Sequence, residues 1–230
     1  MTLAEKIIEF NSSLQFDGSL PPDIRIMNPF SENPEALKTS SIFYRKFYND
    51  NSFRKIILGI NPGRFGAGVT GIPFTDTQRL TEKCMIDLPG IVTRELSSIF
   101  VYDVIAAFGG AEKFYSDFYF GAVCPLGFVK LNDKGKEVNY NYYDSADLQK
   151  SVEPFIITSL ERQLNWEIDR NVCFCLGNNK NFNYLQKLNK RKGYFKQIVP
   201  LEHPRFIMQY RLKEKEKYID KYLSQLNANY

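Results

Sequence analysis

Two short stretches of this 230-residue chain hold side chains whose types and spacing could do chemistry. The first is residues 59–74, Gly-Ile-Asn-Pro-Gly-Arg-Phe-Gly-Ala-Gly-Val-Thr-Gly-Ile-Pro-Phe, with five glycines in thirteen positions. Glycine at that density lets backbone approach a ligand where a Cβ would collide. The same loop carries one side-chain amide, Asn61, and two aromatics, Phe65 and Phe74. An amide orients a water and an aromatic face stacks on a flat ring, so the combination describes a pocket for a planar heterocycle. The second stretch, Leu201-Glu202-His203-Pro204, holds the chain's one histidine. On its own, a histidine before a proline reads as a surface loop residue.

Commoner meanings of a glycine loop fit poorly. A phosphate-cradling loop places Lys-Ser/Thr after its last glycine, where this chain has Ile72-Pro73. Gly66-Ala67-Gly68-Val69-Thr70-Gly71 has dinucleotide spacing, but Pro73 follows and no acidic-ended second strand appears about twenty residues on. A turn without any ligand is the remaining plain alternative. The four cysteines, Cys84, Cys124, Cys173 and Cys175, contain no Cys-x-x-Cys pair. Cys173 and Cys175 alternate on one face of a strand as small core hydrophobes, so neither a cluster nor a metal site is expected.

The elements that must position these residues follow from the pattern. Residues 2–14 read as an amphipathic helix with Leu3, Ile7, Ile8 and Phe10 inward, and a proline-punctuated stretch follows. Helix 35–48 leads to strand 54–60 and the glycine loop. Helix 92–107 ends at Gly109-Gly110, and strand 117–123 delivers Cys124-Pro125-Leu126. Residues 134–144 are polar, a loop or hairpin. Helix 146–165, strand 172–176, helix 180–190, strand 195–200 and a solvated helix over 212–226 complete the order. Strands separated by helices predict an α/β fold with a parallel sheet. Every marked motif falls just past a strand C-terminus, where such sheets place ligands.

A hydrophobic content of 43% and a charged fraction of 24% are those of a folded globular domain. No run of eighteen apolar residues exists, and the N-terminus lacks the pattern of a signal peptide. A cytoplasmic protein is expected. The formal charge of +4 is compatible with nucleic acid without deciding for it. Lys187, Lys190, Arg191, Lys192 and Lys196 form the better phosphate-contact candidate, with an ordinary solvated surface as the equal alternative. The later basic residues are diluted by Glu214, Glu216 and Asp220.

Residues 59–74 closely resemble motif 1 of the single-strand-selective monofunctional uracil-DNA glycosylases, within the uracil-DNA glycosylase superfamily. The match is ungapped and keeps Asn61, Pro62, Gly63, Phe65, Gly66, Thr70, Gly71, Pro73 and Phe74. Cys124-Pro125-Leu126 resembles a family tract, and His203-Pro204 resembles the start of the second motif, so the likeness covers roughly residues 50–210. It implies a three-layer α/β sandwich whose central, mainly parallel four-stranded sheet is flanked by helices. One domain, 1–230, is expected: a helical and loop segment over 1–50, the core over about 50–210 and a C-terminal helix over about 211–226.

The resemblance implies hydrolysis of the N-glycosidic bond of uracil or a related deaminated or oxidised base in DNA, leaving an abasic site. Asn61 would position the water, and His203 would donate to the base O2 as negative charge develops there. Gly63 would leave room at the pocket floor and Phe74 would stack on the flipped base. Arg205 or Phe206 would wedge into DNA. The implied partner is DNA, with no cofactor, metal or membrane, and the protein is expected to be a monomer. Three departures bear on specificity. Ala122 stands where the family has a uracil-reading asparagine, leaving Asn139 or Asn141 to supply the amide. Arg205-Phe206-Ile207-Met208 replaces Ser-Pro-x-Asn, and Ala67 replaces a methionine. Two other functions share these residues: a catalytically silent binder of single-stranded nucleic acid, and an enzyme acting on free nucleosides or nucleotides.

Overall fold

The computed structural model describes residues 1–88 and 90–230. Thr2 caps α1 (Leu3–Ser12) in a reciprocal box with Glu5. After β1 (Ile24–Met27), the helices α2 (Pro29–Glu32) and α3 (Pro34–Phe47) each begin with a proline behind an asparagine cap. β2 (Arg54–Gly59) feeds the glycine loop, which contains the single turn α4 (Ala67–Thr70) and leads to α5 (Thr77–Cys84). Then come α6 (Leu96–Phe108), α7 (Ala111–Asp117), β3 (Phe118–Ala122), β4 (Gly127–Leu131) and β5 (Glu137–Tyr140). The chain closes with α8 (Ala146–Leu164), β6 (Ile168–Leu176), α9 (Lys180–Lys192), β7 (Gln197–Leu201), α10 (Pro204–Tyr210), a 3-10 turn (Leu212–Glu214) and α11 (Lys215–Leu226).

The main sheet has four strands in the order β3-β2-β6-β7, all parallel. Its central strands are continuous apolar runs because helices cover them: Ile56, Ile57, Leu58 and Val172 to Leu176 are buried. Cys173 and Cys175 lie in this core as free thiols, with Cys84 and Cys124 also buried. The core draws on residues from Leu3 to Leu226. Register brings the strand ends level, Gly59 opposite Ala122 and Leu176 opposite Leu201. The loops carrying Asn61, Cys124, Gly177 and His203 therefore leave from one edge. Among the described residues, no helix is long and apolar enough to cross a membrane.

The structure corrects several expectations. A second sheet, β1-β4-β5, is antiparallel and was not foreseen. Its first strand hides in the proline-rich stretch, and the expected hairpin in residues 134–144 is the return strand β5. The helix expected from residue 92 starts at Leu96. Thr93 donates its N–H to Thr77 Oγ1 at 2.7 Å and Glu95 donates its N–H to Asp76 Oδ2 at 2.7 Å, so the preceding backbone is held by side chains instead. In α1, Ile8 is only half-buried, and Ala4 and Asn11 complete the inner face.

Candidate active site

Asn61 sits two residues beyond β2, and both ends of its amide are held. Nδ2 donates to the carbonyl of Tyr140 at 3.2 Å, and Oδ1 accepts the N–H of Tyr142 at 3.1 Å. The second sheet thus fixes the first sheet's amide. Tyr142 is fixed in turn, its hydroxyl donating to Asn181 Oδ1 at 2.8 Å. Asn181, fully buried, donates to the carbonyl of Leu176 at 3.0 Å and reaches that of Gly59 at 3.4 Å. Neither residue stands out in the sequence, since an internal Tyr and a first-turn Asn have ordinary structural uses.

Phe74 has φ +54°, in the left-handed region that non-glycine residues seldom occupy. The loop enforces this. Thr70 Oγ1 donates to the carbonyl of Thr75 at 2.7 Å and accepts the N–H of Ile72 at 3.1 Å. Gly59 clears the ring's place, because a Cβ there would lie 2.9 Å from Phe74 carbons. The ring centroid stands 5.4 Å from that of Phe120 and 6.1 Å from that of His203.

His203 ends the loop after β7 and caps α10. Its Nδ1 accepts the N–H of Arg205 at 3.2 Å, which leaves the proton of the neutral ring on Nε2. Burial in the pocket wall, helped by the Arg205 charge, lowers its pKa to about 4. The imidazole is therefore a neutral donor at physiological pH. The preceding residue anchors it, for Glu202 takes a hydrogen bond from Lys221 at 2.6 Å and its carbonyl accepts the Tyr222 hydroxyl.

These residues meet in one cavity of about 630 Å³, within the range of small-molecule sites. Asn61, Gly63, Phe74, His203, Arg205 and Phe206 all line it, as do Ala122 and Ala67. Asn139 and Asn141 line it as well, so side-chain amides reach the same cavity as Ala122. Asn139 Oδ1 accepts the N–H of Arg64 at 3.1 Å. Lys180 and Glu95, which no motif singles out, also line it. Glu95 precedes an apolar helix and reads there as an ordinary acid at a helix N-terminus. Phe206 and Tyr210 are exposed at the cavity's edge with centroids 5.7 Å apart, and Phe65 is exposed on the glycine loop.

The basic cluster expected to touch phosphate does not belong to this site. Parallel strands alternating with helices send the C-terminus of α9 to the opposite end of the sheet. Arg191 pairs there with Glu153, and Lys192 pairs with Glu161 at 3.1 Å. Lys196 lines a separate open groove of about 880 Å³ beside Lys55 and Arg170. That groove is larger, but it holds neither conspicuous motif. Among the described residues no group of three or more His, Cys, Asp or Glu is placed to hold a metal ion.

A parallel α/β sheet with an amide, an aromatic ring and a neutral imidazole converging past its strand ends defines a class of pocket protein. Residues 45–227 match the model of the uracil DNA glycosylase superfamily, and the chain belongs to that superfamily. Among solved structures it is similar to wild-type SMUG2 of Pedobacter heparinus, with 54% identity and a TM-score of 0.96. That likeness covers 98% of this chain and 97% of the other. No curated protein matches the chain.

Proposed function

We propose that the protein is a monofunctional DNA glycosylase that hydrolyses the bond between deoxyribose and uracil, or a related deaminated or oxidised base, leaving an abasic site. The observation that carries this reading is the convergence of Asn61, Phe74 and a neutral His203 on one cavity with room for a flipped base. Asn61 Oδ1 uses one lone pair on Tyr142, and the other is free to hold a water beneath C1′. The rigid amide supplies orientation, which lowers the barrier by fixing the near-attack geometry. His203 Nε2–H donates to the base oxygen that gains charge as the bond breaks. Gly63 and Phe74 are assigned to base binding, and Asn139 or Asn141 supplies the amide missing at Ala122. Arg205 and Phe206 are assigned to DNA. The chain is proposed to act as one unit and as a monomer, without metal or cofactor.

Incubation of metal-free protein with single- and double-stranded oligonucleotides carrying one uracil, hydroxymethyluracil, hypoxanthine or xanthine tests this. Alkali then converts abasic sites to strand breaks. Breaks that require Asn61 and His203 are the expected result. Exposed Phe65, Phe206 and Tyr210 near the cavity favour a second reading, a silent binder that stacks single-stranded bases. Binding without breaks on any base would select it.

A further inference from the structure

The glycine loop makes room for a carboxyl group. A Cβ on Gly66 would lie 2.0 Å from Glu95 Oε2, and one on Gly63 would lie 3.1 Å from Glu95 Oε1. Gly63, expected to open the pocket floor to the base, therefore opens it to Glu95. Asn139 Nδ2 stands 3.6 Å from the same point beside Gly63, so the carboxyl and a candidate base-reading amide share one corner of the cavity. Glu95 is at the N-cap of α6 yet makes no capping bond through its side chain. Its backbone is held instead, the N–H going to buried Asp76. Among the described residues no group donates to the carboxyl oxygens, and no other acid lines the cavity.

Asn61 leaves a chemical need that this group can fill. The second lone pair of Asn61 Oδ1 can orient a water, but an amide oxygen does not take a proton from it. We infer that Glu95 is a catalytic base of the proposed glycosylase reaction, taking the proton of the attacking water. The water oxygen bonds to C1′, and the C1′–N bond breaks with its electron pair leaving on the base, which His203 holds as an anion. The water proton passes to Glu95 and then to solvent. Burial, assisted by the charge of Asp76 and opposed by that of Arg205, raises the Glu95 pKa to about 7. Asp76 is itself paired with Arg79, while His203 and Lys180 line the same cavity.

The inference rests on the glycosylase reading, and the test separates the two. Single-turnover cleavage of a uracil-containing single strand is followed from pH 5 to 9 for the wild type, Glu95→Gln and Glu95→Asp. The wild-type rate should rise through about pH 7, whereas Glu95→Gln should be flat and about 10²–10⁴-fold slower at pH 8. Glu95→Asp should keep a pH-dependent rate below that of the wild type. Glu95→Gln should also melt at a higher temperature than the wild type at pH 8 and at an equal one at pH 5, because it removes a buried charge present only at the higher pH. A merely structural glutamate would instead lose melting temperature with its rate. Wild-type cleavage with an unaltered rate and profile in Glu95→Gln would overturn the inference alone. No cleavage by the wild type on any base would overturn the reading beneath it.

Discussion

The two ends of β2 treat polar groups in opposite ways. At its start, Arg54 is fully buried and its guanidinium is surrounded. It donates to both Asp50 oxygens at 2.8 Å, to the carbonyl of Tyr115 at 2.7 Å and to that of Ser52 at 3.0 Å, and it lies over the Tyr48 ring. Arg54 holds the Asp50 carboxyl down to about 2. At the cavity past the other end, no group among the described residues donates to the Glu95 carboxylate or accepts from His203 Nε2. The saturated end fixes the strand. The unsaturated end keeps polar groups in the wrong environment for stability, as a reactive site does.

The comparison is broken most severely at the saturated end. Arg54→Met should cost about 3–5 kcal/mol, because it strips a buried network of its central donor. Urea denaturation should show this, with unchanged cleavage per folded molecule. At the open end, His203→Ala should lower the single-turnover rate by about 10²–10³-fold, the loss typical of one donor to a developing anion, with a stability loss of at most about 0.5–2 kcal/mol from the missing cap of α10. If it unfolds the protein while Arg54→Met does not, the contrast between the two ends is wrong.

Smaller effects sharpen the contrast. The folded His203 has a lower pKa than the unfolded chain's ordinary 6.5, so between about pH 4 and 6.5 the unfolded state binds the extra proton. Its contribution to stability is therefore complete above 6.5 and lost as pH falls through about 4. With one histidine in the chain, a single imidazole resonance should titrate near 4 in an NMR series. Tyr142→Phe leaves Asn181 Oδ1 without its donor and should cost about 1–3 kcal/mol in thermal or urea unfolding. Smallest is the effect on DNA affinity. Arg205→Ala should weaken binding and reduce the slope of log affinity against log salt by about one, while Arg191→Ala, at the far end of the sheet, should change neither.

The order of α and β elements was legible because strand and helix periodicity are local properties of sequence. Asn61, Phe74 and His203 were legible for another reason, since their motifs resemble those of a family. The unforeseen β1 and β4 are short strands whose pairing depends on distant partners, Ile24 with Lys130 and Phe128 with Tyr140. Phosphate contact and plain solvated surface could not be told apart for the basic cluster near residue 190, because charge density along a chain does not say which end of a sheet it reaches.

The sequence by itself determined the parallel α/β sheet, the glycine loop at a strand end and the two polar groups that mark the site. Those features follow from side-chain pattern and backbone permissiveness within a few residues. Only the tertiary structure decided how Asn61 is pinned through Tyr142 and Asn181, which nitrogen of His203 carries its proton and where Glu95 points. The pinning of Asn61 and the direction of Glu95 depend on contacts between segments far apart in the chain, and the His203 proton depends on the cap that His203 makes where α10 begins, a geometry that residue types alone do not state.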